Sequence, residues 1–144
     1  MVSPPLSGED GRRQVEAASA ALVAAGARIN KHCGLHVHHD VRRLKLAELQ
    51  RLFAIWRNSQ PAMDMLVAPS RRNSRWSMPV SEGDVMAVNG MRSMTLTDAR
   101  VSLRHLNRYR SLNATSYPKY GTVESRQHQG TIEAKKIMAW VEFG

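Results

Sequence analysis

Between Asp10 and Ala25 the apolar residues Val15, Ala18, Leu22 and Ala25 recur at spacings of three, four and three, which predicts an amphipathic helix stopped by Gly26. The two prolines, two serines and one glycine of residues 1–9 predict an extended or turning entry to it. After Gly26 the period shortens to two. From Cys33 to Asp40, Leu35 and Val37 alternate with His36 and His38, the pattern of a half-buried strand. Helical spacing returns with Leu46, Leu49, Phe53 and Trp56 on one face and Lys45, Glu48, Arg51 and Arg57 elsewhere, and Pro61 is expected just beyond the end of that helix. Residues 58–95 carry three prolines and no steady period, which predicts loop with short elements. Val101, Leu103, Leu106 and Leu112 fit a helix or a strand equally. From Gly121 to His128 alternation resumes, with Thr122, Glu124, Arg126 and His128 on one face and Val123, Ser125 and Gln127 on the other. A closing helix is expected from Gly130-Thr131-Ile132-Glu133, capped by Thr131 and striped by Ile137, Trp140 and Val141.

These elements mix helices with strands, and 144 residues predict a single domain. Lys and Arg total 21 against 12 Asp plus Glu, a net charge of +9, so anionic partners are favoured: phosphate, carboxylate or nucleic acid. No stretch approaches the roughly 20 apolar residues of a membrane span, and Met1-Val2-Ser3-Pro4-Pro5 lacks the regions of a secretory leader. The lone Cys33 excludes an internal disulfide and fits a reducing compartment; the expected location is cytoplasmic. Cys33 itself reads as a packed small residue rather than a nucleophile.

The chemistry concentrates on the two alternating segments. Gly34-Leu35-His36-Val37-His38 places two imidazoles on one strand face, shared by Asp40 if the strand continues. Thr122-Val123-Glu124-Ser125-Arg126-Gln127-His128 sends a carboxylate, a guanidinium and an imidazole to one side. Paired in one sheet, the two segments would line a surface with ligands for a divalent ion and a planar fork for a carboxylate or phosphate. A plain cross-strand salt bridge at Glu124 is the simpler alternative. Ser70-Arg71-Arg72-Asn73 places two guanidiniums and two short polar side chains in an expected loop that could bind nucleotide phosphates, although in a chain with 16 arginines an Arg-Arg pair is more often a solvated face.

Taken in order, Ser3-Pro4-Pro5-Leu6-Ser7-Gly8-Glu9-Asp10-Gly11, Cys33-Gly34-Leu35-His36-Val37-His38, Ser70-Arg71-Arg72-Asn73 and Gly121-Thr122-Val123-Glu124-Ser125-Arg126-Gln127-His128-Gln129-Gly130-Thr131 resemble the putative amidoligase family, of the carboxylate-amine ligase superfamily that includes glutamine synthetase and the glutamate-cysteine ligases. The resemblance implies an α+β fold, an antiparallel sheet with helices packed on one face, in a glutamine synthetase-like catalytic domain spanning 1–144. Relatives open with a Gly-x-Glu-x-Glu strand and continue past the last helix, so the domain is expected to be incomplete at both ends. It further implies ATP and magnesium or manganese as cofactors, and small-molecule or peptide carboxylates and amines as substrates. By position it implies a metal set of His36, His38 and Glu124, with His38 a ligand or a phosphate contact beside them. Arg126 would be the catalytic group on the phosphoryl or substrate carboxylate. Ser70, Arg71, Arg72, Asn73 and His128 would contact phosphate, nucleotide or substrate. A sheet edge left open by a missing strand would favour self-association.

Two other functions compete. A basic nucleic-acid-binding module is suggested by the charge and by Arg104, Arg108 and Arg110 interleaved with His105 and Tyr109, though no nucleic-acid motif accompanies them. A metallohydrolase is suggested by His36-Val37-His38-His39-Asp40, the start of the His-x-His-x-Asp-His motif of metallo-β-lactamases, whose final histidine is Val41 here.

Overall fold

The computed structural model describes residues 1–144 with the exception of Asn73. The expected first helix forms as α1 (Gly8–Ala24), and the chain then enters β1 (Val37–Asp40). Helix α2 (Leu46–Leu66) runs straight through Pro61 instead of ending before it. An interior proline removes one backbone donor and costs about 3 kcal/mol. Tertiary burial outweighs that cost, because Leu49, Phe53, Trp56, Gln60 and Met63 continue one buried face on both sides of the proline.

The segment 58–95, expected to be mostly loop, is largely helical, with the end of α2, α3 (Pro69–Arg72), α4 (Glu82–Gly90) and a 3-10 turn at Met91–Ser93; α5 (Leu96–Leu103) follows, so Val101 and Leu103, which fitted a helix or a strand equally, are helical. Its stops and starts are locally encoded. Ser81 Oγ accepts from the Asp84 amide at 3.2 Å while Asp84 Oδ2 accepts from the Ser81 amide at 2.7 Å, a reciprocal cap for α4. Thr95 caps α5 through the Asp98 amide at 3.2 Å.

Strand β2 (Leu112–Asn113), the short helix α6 (Tyr117–Tyr120) and β3 (Thr122–Ser125) follow, and α7 (Ala134–Phe143) ends the chain. Gly121 turns α6 into β3 in the left-handed region, at φ +69°, where a Cβ would stand 2.1 Å from Arg42 Cγ; glycine is required there. Helix α7 starts two residues later than its sequence signal, with its N-cap at Glu133 instead of Thr131, because Gly130 is still bonded to the sheet side of the molecule, its amide donating to Cys33 O at 2.9 Å. Thr131 therefore caps no helix; its Oγ1 accepts from the Glu133 amide at 3.1 Å.

The sheet is antiparallel in the order β1-β3-β2, with His38 opposite Glu124 and Asn113 opposite Glu124 on the other side. Its inner face, Leu112 and Val123, joins Leu49, Phe53, Trp56, Val88 and Leu103 in one core. Phe53 and Leu103 are fully enclosed; each such side chain contributes about 1.5–3 kcal/mol relative to exposure. Behind the sheet runs a buried polar chain: Trp56 Nε1 donates to Ser111 Oγ at 3.0 Å, Ser111 Oγ to Gln60 Oε1 at 2.8 Å, Gln60 Nε2 to Asp64 Oδ1 at 3.3 Å, and Gln127 Nε2 also to Asp64. The outer face of the same strands carries the candidate chemistry.

Candidate functional site

Strand geometry decides what meets at this face. In the register of β1 against β3, His38 and Glu124 are direct neighbours, and period two puts His36 and Arg126 on the same side. The centre is Glu124, whose side chain is only 7% exposed. Its Oε1 accepts from His36 Nδ1 at 2.8 Å and lies 3.8 Å from His38 Nε2. Its Oε2 accepts from Asn113 Nδ2 at 2.7 Å, and Arg126 Nη1 bridges both oxygens at 3.0 and 2.9 Å. Burial alone would raise the pKa of this carboxyl, but donation from His36, Asn113 and Arg126 overrides it and brings the pKa down from 4.5 to about 2. Glu124 is therefore an anion throughout the physiological range.

Access to this anion is one-sided. The His36 and His38 side chains are 38% and 48% exposed, whereas Arg126 is 9% exposed and anchored by Nε to the Trp76 carbonyl at 3.3 Å. Arg126 Nη2 is left without a hydrogen bond among the described residues. Two imidazoles thus form the solvent rim, with the guanidinium and carboxylate at the floor.

Arg71, expected at a phosphate, is 5% exposed and donates Nε to Gln127 O at 3.2 Å and Nη2 to Arg126 O at 2.7 Å. It holds the backbone that carries Arg126. Desolvation, and then the charge of Arg126, push its pKa down. Gly34 lets it approach the rim, since a Cβ there would meet His36 Nε2 at 3.1 Å and Arg71 Nη2 at 3.2 Å. Two buried guanidiniums, Arg126 on the carboxylate and Arg71 on the carbonyls behind it, accompany one buried carboxylate and leave the floor net positive, a setting for an anionic ligand.

The remaining expected residues scatter. His128 is buried against Trp140, ring centroids 5.0 Å apart, with Nδ1 2.7 Å from Gln129 O; desolvation lowers its pKa. Ser70 is exposed on α3, and the exposed Arg72 reaches back to Val67 O at 3.4 Å. Asn73 lies outside the described residues. Asp40 leaves the site to pair with Arg42, whose hydrogen bonds hold its carboxyl well below the usual range. Cys33 packs its Cβ against Gly130, where an added methyl would lie 2.4 Å away. Asn113 was invisible to pattern reading, because a two-residue strand has no period; only its pairing opposite Glu124 reveals it.

Among the described residues no three or more His, Cys, Asp or Glu side chains form a ready-made metal site. The donor types present, two imidazole nitrogens at the rim and one carboxylate at the floor, nonetheless fit a divalent ion, with nitrogen favouring manganese over magnesium. Such an ion would share Glu124 with Arg126.

The fold and the site define an α+β chain that presents a buried carboxylate–guanidinium pair and two open imidazoles on the outer face of a small antiparallel sheet. Over residues 1–144 the sequence matches the family described as putative amidoligase enzyme, and the chain belongs to that family. No curated protein and no solved structure matches it. No helix among the described residues is long and apolar enough to cross a membrane.

Proposed function

We propose that the chain acts in an ATP-dependent, amide-forming ligation. The γ-phosphoryl group of ATP passes to a carboxylate oxygen of the substrate, giving an acyl phosphate and ADP. An amine nitrogen then attacks the carbonyl carbon; the C–O bond to phosphate breaks with its electron pair, a proton leaves the nitrogen, and amide and inorganic phosphate result. The observation that carries this reading is Arg126, buried and locked by Glu124 and the Trp76 carbonyl beneath an open rim, in a chain whose whole length belongs to an amidoligase family.

Phosphoryl transfer needs positioning and charge neutralisation more than a nucleophilic side chain. Arg126 Nη2 would accept the developing negative charge of the transferring group. Arg71 would keep Arg126 in place by donating from its Nη2 to the Arg126 carbonyl, and Ser70 and Arg72 would supply outlying polar contacts. His36, His38 and Glu124 would hold a divalent ion that neutralises the phosphates. The substrates would be small-molecule or peptide carboxylates and amines.

Calorimetric titration of ATP with manganese or magnesium, present and absent, tests this beside His36→Ala and Glu124→Ala. Metal-dependent binding in the parent, lost in both variants, is the expected result. Equal ATP binding by all three proteins, or substrate hydrolysis without ATP, would overturn it.

A further inference from the structure

Next to the Arg126 floor stands an aromatic pair that the site as described does not use. Trp76 is the most exposed of the three tryptophans, at 47%, while Trp56 and Trp140 are buried. Its indole meets the Tyr109 ring edge to face, centroids 5.2 Å apart at 73°. Arg75 lies 4.8 Å from the Trp76 centroid, and Arg108 lies 5.6 Å from that of Tyr109. Two aromatic rings and two exposed guanidiniums therefore form one patch.

The patch is held firmly and close to the floor. Met78 N donates to Tyr109 O and Ser111 N to Met78 O, both at 2.7 Å, so the segment after Trp76 is bonded in parallel to the segment leading into β2. Ser77, next to Trp76, is 1% exposed, which fixes the backbone on that side. The Trp76 carbonyl is itself the acceptor for Arg126 Nε. An indole fixed by its neighbours but open to water is preorganised for a flat ligand, and the surrounding cations require that ligand to be anionic.

We propose that Trp76 and Tyr109 form the base-binding platform for a nucleoside triphosphate whose phosphates run past Arg75 toward Arg126. This deepens the ligase reading and rests on it. Stacking on an exposed aromatic depends on the π face of the base and not on its phosphates, so it is separable from charge.

The test compares ATP with inorganic tripolyphosphate in the parent, Trp76→Ala and Trp76→Phe. Trp76→Ala is expected to weaken ATP about 5- to 150-fold, the range of a lost base–aromatic stack, while tripolyphosphate binding stays the same. Trp76→Phe is expected to keep ATP affinity within about threefold yet lose the ATP-induced quenching of tryptophan fluorescence, because the two remaining indoles are buried. Unchanged ATP affinity in Trp76→Ala, or equal weakening of both ligands, overturns the platform and leaves the ligase reading standing. Failure of the parent to bind either ligand overturns both. Retention of single-stranded oligonucleotide that ATP does not compete away assigns the patch to nucleic acid and also overturns the proposal.

Discussion

Glu124→Gln is the sharpest single perturbation of the site. It preserves shape but removes the charge that neutralises a guanidinium only 9% exposed. Stripping one partner from a buried ion pair costs about 3–5 kcal/mol, and the amide oxygen of Gln remains available to Arg126, so a loss of about 2–3 kcal/mol at neutral pH is expected. The acidity of Glu124 gives an independent figure. Holding the carboxyl at about 2 instead of 4.5 has a ceiling of about 3 kcal/mol, at about 1.4 kcal/mol per pH unit. Water reaching Glu124 past the half-exposed imidazoles reduces this to about 2 kcal/mol. The sign follows from the depressed value: the contribution is complete above the unfolded pKa and is lost as pH falls toward the folded one. Urea unfolding of parent and variant, followed by circular dichroism from pH 7 to pH 3, reads both quantities. The parent's advantage should shrink by more than half over that range. A difference below about 1 kcal/mol at pH 7, or one that stays level to pH 3, would refute the buried, anionic Glu124 at the centre of the site.

Three further outcomes follow from the same contacts. Arg71→Lys keeps a cation but cannot serve both the Arg126 and Gln127 carbonyls; urea midpoints should show a loss of about 1–3 kcal/mol, and ATP affinity should fall with it. Ser111→Ala leaves the Trp56 indole donor and the Gln60 oxygen unpaired in the core, which should cost about 2–3 kcal/mol and shift the emission of the buried Trp56. Gly130→Ala drives a methyl to within 2.4 Å of Cys33 Cβ and 3.0 Å of its carbonyl carbon. A loss of about 2 kcal/mol is expected, together with faster amide exchange at Leu35, whose amide donates to the neighbouring His128 carbonyl at 3.1 Å.

Local pattern carried the two strands of the candidate site well. Alternation alone places His36 with His38, and Glu124 with Arg126, because side-chain direction in a strand depends on nothing but the backbone pleat. Pattern failed in three places. At Pro61 a local stop signal was overruled by burial on both sides of it. Between 58 and 95 the dense prolines and exposed methionines hid helices whose caps, Ser81 with Asp84 above all, were written in the sequence. The face shared by Thr122, Glu124 and Arg126 also broke before His128, since the regular strand ends at Ser125 and the His128 ring packs on Trp140.

The amino-acid sequence by itself determined the residue types at the site, the strand faces that bear them and the family to which the chain belongs. Tertiary structure alone decided which of these groups touch. Asn113 joins Glu124 only through the β2–β3 register, Arg71 becomes a buried clamp only because α3 lies against the end of β3, and Trp76 reaches Arg126 only through its carbonyl. Each of these contacts joins residues at least 11 positions apart, and the longer ones span 50 or more. Periodicities of 2 and 3.6 residues describe one element at a time, whereas such contacts depend on how separate elements dock around a common core.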